Sequence, residues 1–347
     1  MTKTVGIVAN PASGKDIRRL VARASVFDNQ EKQAIVQRAL AGILAVPKAN
    51  ELQIGYLNDS HGIVHSAVAA ITGCALPRHK IVVDARTASA ADTTAAARAL
   101  ADMNAEVVIT LGGDGTNRAF VLGWQDAPLL PLSTGTNNVF PVLMEATVAG
   151  AAAGLIATGA VSAGEVATQQ KVVTVTIEDE APDLALIDAV LVDDRFVGAR
   201  ALLAPEQLRV AVLTRADPAA VGVTAIGGLI QNVAREDEYG LFVEFGSGSE
   251  SAKTILAPIA PGLYRQIAVA SHRALAFDEP VVVTGPGVLA FDGERERVLK
   301  PGQKATLSVA RTGPLLLDVR ATMELAASRG IFYTSTHTST HTSKPGS

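Results

Sequence analysis

Two textures of hydrophobic patterning divide the chain. In the first 145 residues, short β-branched and aliphatic runs alternate with helical stretches. TVGIVAN (4–10), ELQIGYLN (51–58), HKIVVDA (79–85), EVVITLGG (106–113) and APLLPLS (127–133) read as five strands. A polar, Arg-rich helical stretch follows the first run. Further helices are expected over 61–71, over the Ala-rich 89–103 and from about Thr116. Strands alternating with helices predict a parallel sheet covered on both faces. Right-handed crossovers then bring every strand-to-helix loop to one edge of that sheet.

After residue 145 the pattern changes. EATVAGAAAGLIATGAVSAG (145–164) is rich in Ala and Gly and reads as a connecting helix. From Lys171 apolar runs follow one another: KVVTVTIED, LALIDAVLVDD, QLRVAVLTR, YGLFVEFGS, RQIAVASH, PVVVTGPGVLAFDG and KATLSVAR. Short strands separated by turn signals predict an all-β domain, a sandwich. A helix near 319–329 is expected to return to the first domain. THTSTHTSKPGS (336–347) is low in complexity and is expected to be solvated, its His337 and His341 included. The expected organisation is an α/β domain over 1–145, a connecting helix, β-sandwich and returning helix over 146–330, and a disordered tail over 331–347.

Composition narrows the function classes. With 347 residues, 48% hydrophobic and 18% charged, there is material for two cores. A net charge of −4, from 30 basic and 34 acidic residues, gives no general attraction to nucleic acid or to an anionic membrane. A single cysteine, Cys74, allows no intrachain disulfide, which fits a reducing compartment. No run approaches the roughly 20 apolar residues of a membrane span, and the one after Lys3 is too short for a signal peptide. We expect a cytoplasmic protein that self-associates as a homo-oligomer and takes small-molecule partners. His61, His65, His79 and His272 lack metal-ligand spacing. Phe120 and Trp124, at helical spacing, read as core.

The candidate chemistry lies in three turns on the loop edge. The fourth run breaks into Gly112-Gly113-Asp114-Gly115-Thr116. NPASGK (10–15) follows the first run and STGTNN (133–138) the fifth. Glycines there allow positive φ and remove a Cβ, so backbone N–H groups can face a phosphate beside a helix N-terminus. Thr116 is expected to cap that helix and to contact phosphate. Asn137 and Asn138 are candidates for a cap or a nucleotide contact, and Lys15 for neutralising phosphate. None of the turns is a Walker A loop, which needs Gly at Ala9 and Ser or Thr at Asp16. None is GxGxxG either, since Arg118 stands where the last glycine would be. Asp114 would crowd a phosphate unless it holds Mg²⁺ or takes a proton from a hydroxyl. The stretch therefore joins phosphate binding to acid–base chemistry.

NPASGK, GGDGT and STGTNN in this order, then FDGE (291–294) in a β-rich second half, resemble the NAD kinase and diacylglycerol kinase superfamily. PLSTGTNNVFP (131–141) and LVDDRFVGARAL (191–202) are similar to its AcoX-like acetoin-catabolism branch. The resemblance implies a Rossmann-like α/β domain, a β-sandwich and a kinase site between them, with ATP as donor and Mg²⁺ as cofactor. It implies nucleotide contacts from Asn10, Gly112, Gly113, Gly115, Thr116, Gly135, Thr136 and Asn137. It places Asp114 beside the acceptor hydroxyl, with Asp114 and Asp292 as metal ligands, and makes Glu294 the base of the lipid-kinase branch.

There are departures from the NAD kinase pattern. Ile187-Asp188 stands where NAD kinases carry Asn-Glu. RADPAAVGVTAI (215–226) replaces their Thr-Gly-Ser-Thr-Ala-Tyr segment, and Glu294 replaces a common glutamine. The acceptor is therefore NAD or a different small or lipid-like alcohol. A non-catalytic nucleotide-binding protein is the reading from another class. Against a functional Asp292 and Glu294 stands an ordinary Asp-Gly hairpin turn.

Overall fold

The computed structural model describes residues 2–14, 27–71, 78–135, 137–194, 204–246 and 252–333. The Arg-rich stretch, Lys15, Cys74, Thr136, His337 and His341 lie outside the described residues.

The first region alternates as its pattern predicts. β1 (Lys3–Ala9) leads to α1 (Asn29–Leu44), whose first turn is capped by the Asp28 carboxylate accepting from the Glu31 amide. β2 (Leu52–Asn58), α2 (Ile63–Ala69), β3 (Arg78–Asp84), α3 (Ala90–Asp102), β4 (Val107–Gly112), α4 (Asp114–Val121) and β5 (Pro128–Ser133) follow. α5 (Ala146–Thr158), the short α6 (Ala163–Val166) and β6 (Ala167–Gln169) complete this part. Every residue of β4 is buried, as a strand covered on both faces requires.

The β-rich region contains β7 (Val172–Ile177), β8 (Asp183–Ala185), β9 (Asp188–Val192), β10 (Leu208–Leu213), α7 (Val223–Ile230), β11 (Tyr239–Phe245), β12 (Lys253–Ala260) and β13 (Leu263–Ala276). β14 (Val281–Thr284), β15 (Gly287–Phe291), β16 (Glu294–Leu299) and β17 (Lys304–Ala310) close it. β18 (Leu315–Leu317) and α8 (Val319–Ser328) then return to the first region.

The first sheet has the order β3-β2-β1-β4-β5-β18-β6. Its strands are parallel except β6, which pairs antiparallel with β18. The chain division therefore differs from the break expected at 145. The segments 146–169 and 315–328 pack with the first sheet, and the β-rich unit runs from 172 to 310. The composition of α5 has a packing cause. A Cβ on Gly150 would sit 1.9 Å from the Ala39 carbonyl oxygen, and one on Gly42 would sit 2.0 Å from that of Thr147. The backbones of α1 and α5 touch, and small residues permit it.

In the second unit an antiparallel sheet, β12-β13-β11-β10-β9-β15-β16, packs on a smaller one, β14-β17-β7-β8. Val175, Leu191, Val212, Leu289, Phe291 and Leu307 fill the space between them. Two apolar runs that read as single strands each divide between the sheets. LALIDAVLVDD supplies β8 to one and β9 to the other. PVVVTGPGVLAF supplies β14 and β15, parted at Gly285-Pro286, where proline has no N–H for a ladder.

Candidate functional site

β1 lies between β2 and β4, and the chain crosses from β3 over to β4. The loops after β1 and β4 therefore flank the point where the strand order reverses, the place where open α/β sheets form a ligand crevice. β5 is the next strand, so all three glycine turns lie side by side. Side chains stitch them together. Asn10 Nδ2 donates to Thr116 Oγ1 at 2.8 Å, and Thr134 Oγ1 donates to Ser13 Oγ at 3.1 Å. Ser133 Oγ donates to the Gly135 carbonyl at 2.6 Å and accepts from Asn138 Nδ2 at 2.7 Å.

A residue absent from the sequence expectations anchors the first turn. Lys32 on α1 is fully buried, and its ammonium donates to the carbonyls of Asn10, Pro11 and Ser13 at 3.0, 2.9 and 2.6 Å. The partners lie about twenty positions earlier in the chain, so no local pattern marks them.

Gly14 in the first turn has a φ of 70°, whereas Gly112, Gly113, Gly115 and Gly135 are not among the residues with positive φ. The glycines around Asp114 serve close approach instead. A Cβ on Gly112 would lie 2.5 Å from Thr116 Oγ1, one on Gly113 2.8 Å from Asn138 Oδ1, and one on Gly115 3.0 Å from Glu294 Oε1. The helix also begins earlier than expected. Gly113 is the N-cap and Asp114 the first helical residue, so Thr116 does not cap. It is buried in the first turn, where its hydroxyl meets Asn10.

Carboxylates from both domains converge beside these turns. Asp114 accepts from the Val139 amide at 3.1 Å and from the Phe140 amide at 2.8 Å. Asp292 accepts from the amides of Leu186 at 2.9 Å and Ile187 at 2.7 Å. Asp114, Asp188 and Asp292 line one cleft with Asn137, and apolar walls come from Ile187, Val223 and Ile259 among others. The hairpin reading of Asp292-Gly293 holds at the same time. Both residues have positive φ, 50° and 84°, and turn β15 into β16 with Phe291 opposite Glu294. Glu294 does not line the cleft; its carboxylate lies against Gly115. Asp188, whose strand run carries no other charge before Asp193, is a cleft carboxylate that the sequence motifs did not include among the site residues.

Burial pushes the Asp292 carboxyl up to about 6. Arg118 and the amides of Leu186 and Ile187 oppose that rise, and the Asp114 charge adds to it. Arg118 also joins the domains. From α4 its buried guanidinium donates to the Leu184 carbonyl at 2.6 Å, pairs with Asp183 at 2.7 Å and Glu296 at 2.9 Å, and lies 4.9 Å from the Phe291 ring centre. The helix that carries Asp114 is thereby pinned to the sandwich that carries Asp292.

No group of three His, Cys, Asp or Glu side chains able to hold a metal exists among the described residues. Mg²⁺ characteristically takes one or two carboxylates plus substrate phosphates. Asp114 and Asp292, two oxygen donors sharing a cleft beside the glycine turns, fit that donor set. No helix among the described residues is long and apolar enough to cross a membrane.

Residues 5–161 match the family described as ATP-NAD kinase N-terminal domain, and residues 171–312 match the acetoin catabolism protein X C-terminal domain. Acetoin catabolism protein X of Cupriavidus necator is 36% identical over 332 residues, which cover 93% of this chain and 92% of that protein. The chain belongs to the acetoin catabolism protein X family. In this family member the border between the two matched models, near residue 170, coincides with the structural border between β6 and β7. Among solved structures, the chain is similar to yeast NADH kinase complexed with NADH, with a TM-score of 0.49, 12% identity, and 96% of this chain and 89% of that one covered. A putative diacylglycerol kinase from Bacillus anthracis str. Sterne gives a TM-score of 0.44 and 14% identity, with 91% and 97% covered. The kinase-like N-terminal domain and the acetoin-catabolism branch expected from the motifs are thus both present.

Proposed function

We propose that this member of the acetoin catabolism protein X family transfers the terminal phosphoryl group of ATP to an alcohol held in the cleft between its domains. The observation that carries this reading is the meeting of Asp114 and Asp292, from different domains, in one cleft beside the three glycine turns. The amides at the start of α4 offer N–H groups and a helix N-terminus to phosphate oxygens. Asn10 and Thr116 fix the shape of that cradle. Asp292, held near 6, is matched to accepting a proton close to neutral pH. The acceptor oxygen bonds to the γ-phosphorus as its proton passes to Asp292, and the bond from that phosphorus to the bridging oxygen breaks, with ADP as leaving group. Mg²⁺, which Asp114 would hold together with the phosphate oxygens, would supply charge compensation on the phosphates.

The cleft favours a small acceptor. Its cavity volume is about 60 Å³, room for about five waters at roughly 10–15 Å³ each. Ile187 offers an apolar wall where a dinucleotide would need a hydrogen-bonding side chain. NAD is the competing acceptor, by resemblance. Measuring ADP release across NAD, NADH, diacylglycerol and short diols tests the reading, and the short diols are expected to support turnover. Binding of a non-hydrolysable ATP analogue, with no ADP released for any acceptor, would instead make the chain a nucleotide-binding module.

A further inference from the structure

Lys32 reaches the first glycine turn from behind. It stands near the start of α1 and is fully buried, a place an ammonium tolerates only when its donors are satisfied. It donates to the carbonyls of Asn10, Pro11 and Ser13 at 3.0, 2.9 and 2.6 Å, and to Asn29 Oδ1 at 3.2 Å. Three backbone acceptors of one turn therefore face a single nitrogen.

In a planar trans peptide the C=O and the N–H point to opposite sides, so fixing the carbonyl fixes the direction of the following amide. The Asn10 carbonyl precedes Pro11, which has no N–H. The Pro11 carbonyl faces Lys32, so the Ala12 N–H faces away from it and donates to Asn10 Oδ1 at 2.9 Å. The Nδ2 of the same Asn10 side chain donates to Thr116 Oγ1. The side of the turn opposite Lys32 is thus the side on which the Asp114 turn lies. The Ser13 carbonyl also faces Lys32, which directs the Gly14 N–H to that same side. Amides aligned in this way beside a helix N-terminus suit a phosphate oxygen.

We propose that Lys32 is a positioning residue for nucleotide binding: by holding the Asn10, Pro11 and Ser13 carbonyls, it aims the Gly14 amide at a phosphate oxygen of the nucleotide. This role rests on the reading of the glycine turns as a phosphate cradle. Lys32 acts through the turn and does not touch the ligand. An apolar side chain at position 32 would fill the same space, but it would leave three carbonyls without their shared donor. Those peptides would then turn toward water, because a buried carbonyl without a partner is costly, and the Gly14 N–H would turn with them.

The experiment follows thermal unfolding of the full chain against a non-hydrolysable ATP analogue, whose protection of the folded state gives its affinity. Lys32→Met keeps the reach of the side chain and removes the ammonium. It is expected to weaken the analogue about 10- to 100-fold, the range for losing a hydrogen bond to a charged group. Lys32→Ala should weaken it as much. Added n-propylammonium, the part of the side chain which that substitution deletes, should restore the affinity, whereas n-propanol should not. A third readout uses the unaltered chain and does not depend on either variant folding. With glycine labelled by ¹⁵N, the Gly14 amide proton should shift downfield as the analogue binds. A Gly14 amide that stays in place at saturation would overturn the proposal. So would Lys32→Met binding the analogue as tightly as the parent, or propanol restoring Lys32→Ala as well as propylammonium does, since packing alone would then explain Lys32. Failure of the analogue to protect the parent would overturn this role together with the phosphate cradle. Protection without ADP release for any acceptor would remove phosphoryl transfer alone.

Discussion

Titrating Asp292 tests the electrostatics of the cleft without any knowledge of the acceptor. Its carboxyl rises from the ordinary 3.8 to about 6, chiefly through burial. Between those values the folded protein holds a proton that the unfolded chain releases. Stability therefore falls as pH rises through this window, the reverse of the common salt-bridged aspartate. The contribution is present in full below about 4 and is lost once the pH passes the folded value. A rise of about 2 units at 1.36 kcal/mol per unit amounts to about 3 kcal/mol.

Asp292→Asn removes the titration. Urea unfolding of both proteins at steps from pH 4 to 7.5 compares them with the Asp292 titration present and absent. Relative to the variant, the wild type is expected to lose about 3 kcal/mol across the window. The ¹³Cγ shift of Asp292 should move with a midpoint near 6. If Asp292 is also the proton acceptor, turnover should climb through the same midpoint. A difference in stability that stays flat with pH, or a carboxyl midpoint at or below 4, would refute the burial account and with it the assignment of Asp292 as a base.

Three further outcomes are expected. Asp114→Asn should lower turnover, measured as ADP release, because it removes the carboxylate that would hold Mg²⁺. It should also cost about 1–3 kcal/mol in unfolding assays, because the carboxylate holds the Val139 and Phe140 amides. Gly115→Ala brings a Cβ to 3.0 Å from Glu294 Oε1, the movable end of a side chain. Stability should change by no more than about 1 kcal/mol, while protection against unfolding by ATP falls. Arg118→Ala should cost about 3 kcal/mol, the lower end for a broken buried pair, because Asp183 keeps Arg297 at 2.8 Å. A loss under about 1 kcal/mol in urea would show that Arg118 does not pin the domains.

The parts of this fold legible in the sequence are those written in local patterns. Each βα unit carries its own alternation, so the parallel sheet and the shared edge of the three turns follow from periodicity and the crossover rule. Contacts between distant segments are not written locally. Lys32 sits on a helix that reads as polar, and its burial becomes intelligible only when the Asn10, Pro11 and Ser13 carbonyls are brought to it. Lys171 donates to the carbonyls of Ala234 and Tyr239, more than sixty residues further along the chain.

The run LALIDAVLVDD shows why a strand could not be bounded from its pattern. Asp188 is the one polar residue before Asp193, and the apolar Leu186 and Ile187 continue past the point where the ladder stops, between Ala185 and Asp188. There the amides of Leu186 and Ile187 turn away from strand pairing and donate to Asp292. The interruption belongs to the site, because two backbone donors are withdrawn from a sheet to hold one buried carboxylate. The same residue makes the opposition between a hairpin turn and a functional aspartate a false one. At φ of 50° Asp292 forms the turn with Gly293, and its side chain reaches back under the sheet rather than out to solvent. A turn aspartate with no inward partners would be exposed, whereas this one is buried and hydrogen-bonded across more than a hundred residues of sequence. An aspartate so placed at a hairpin tip is better explained by the cleft it faces than by the turn it makes.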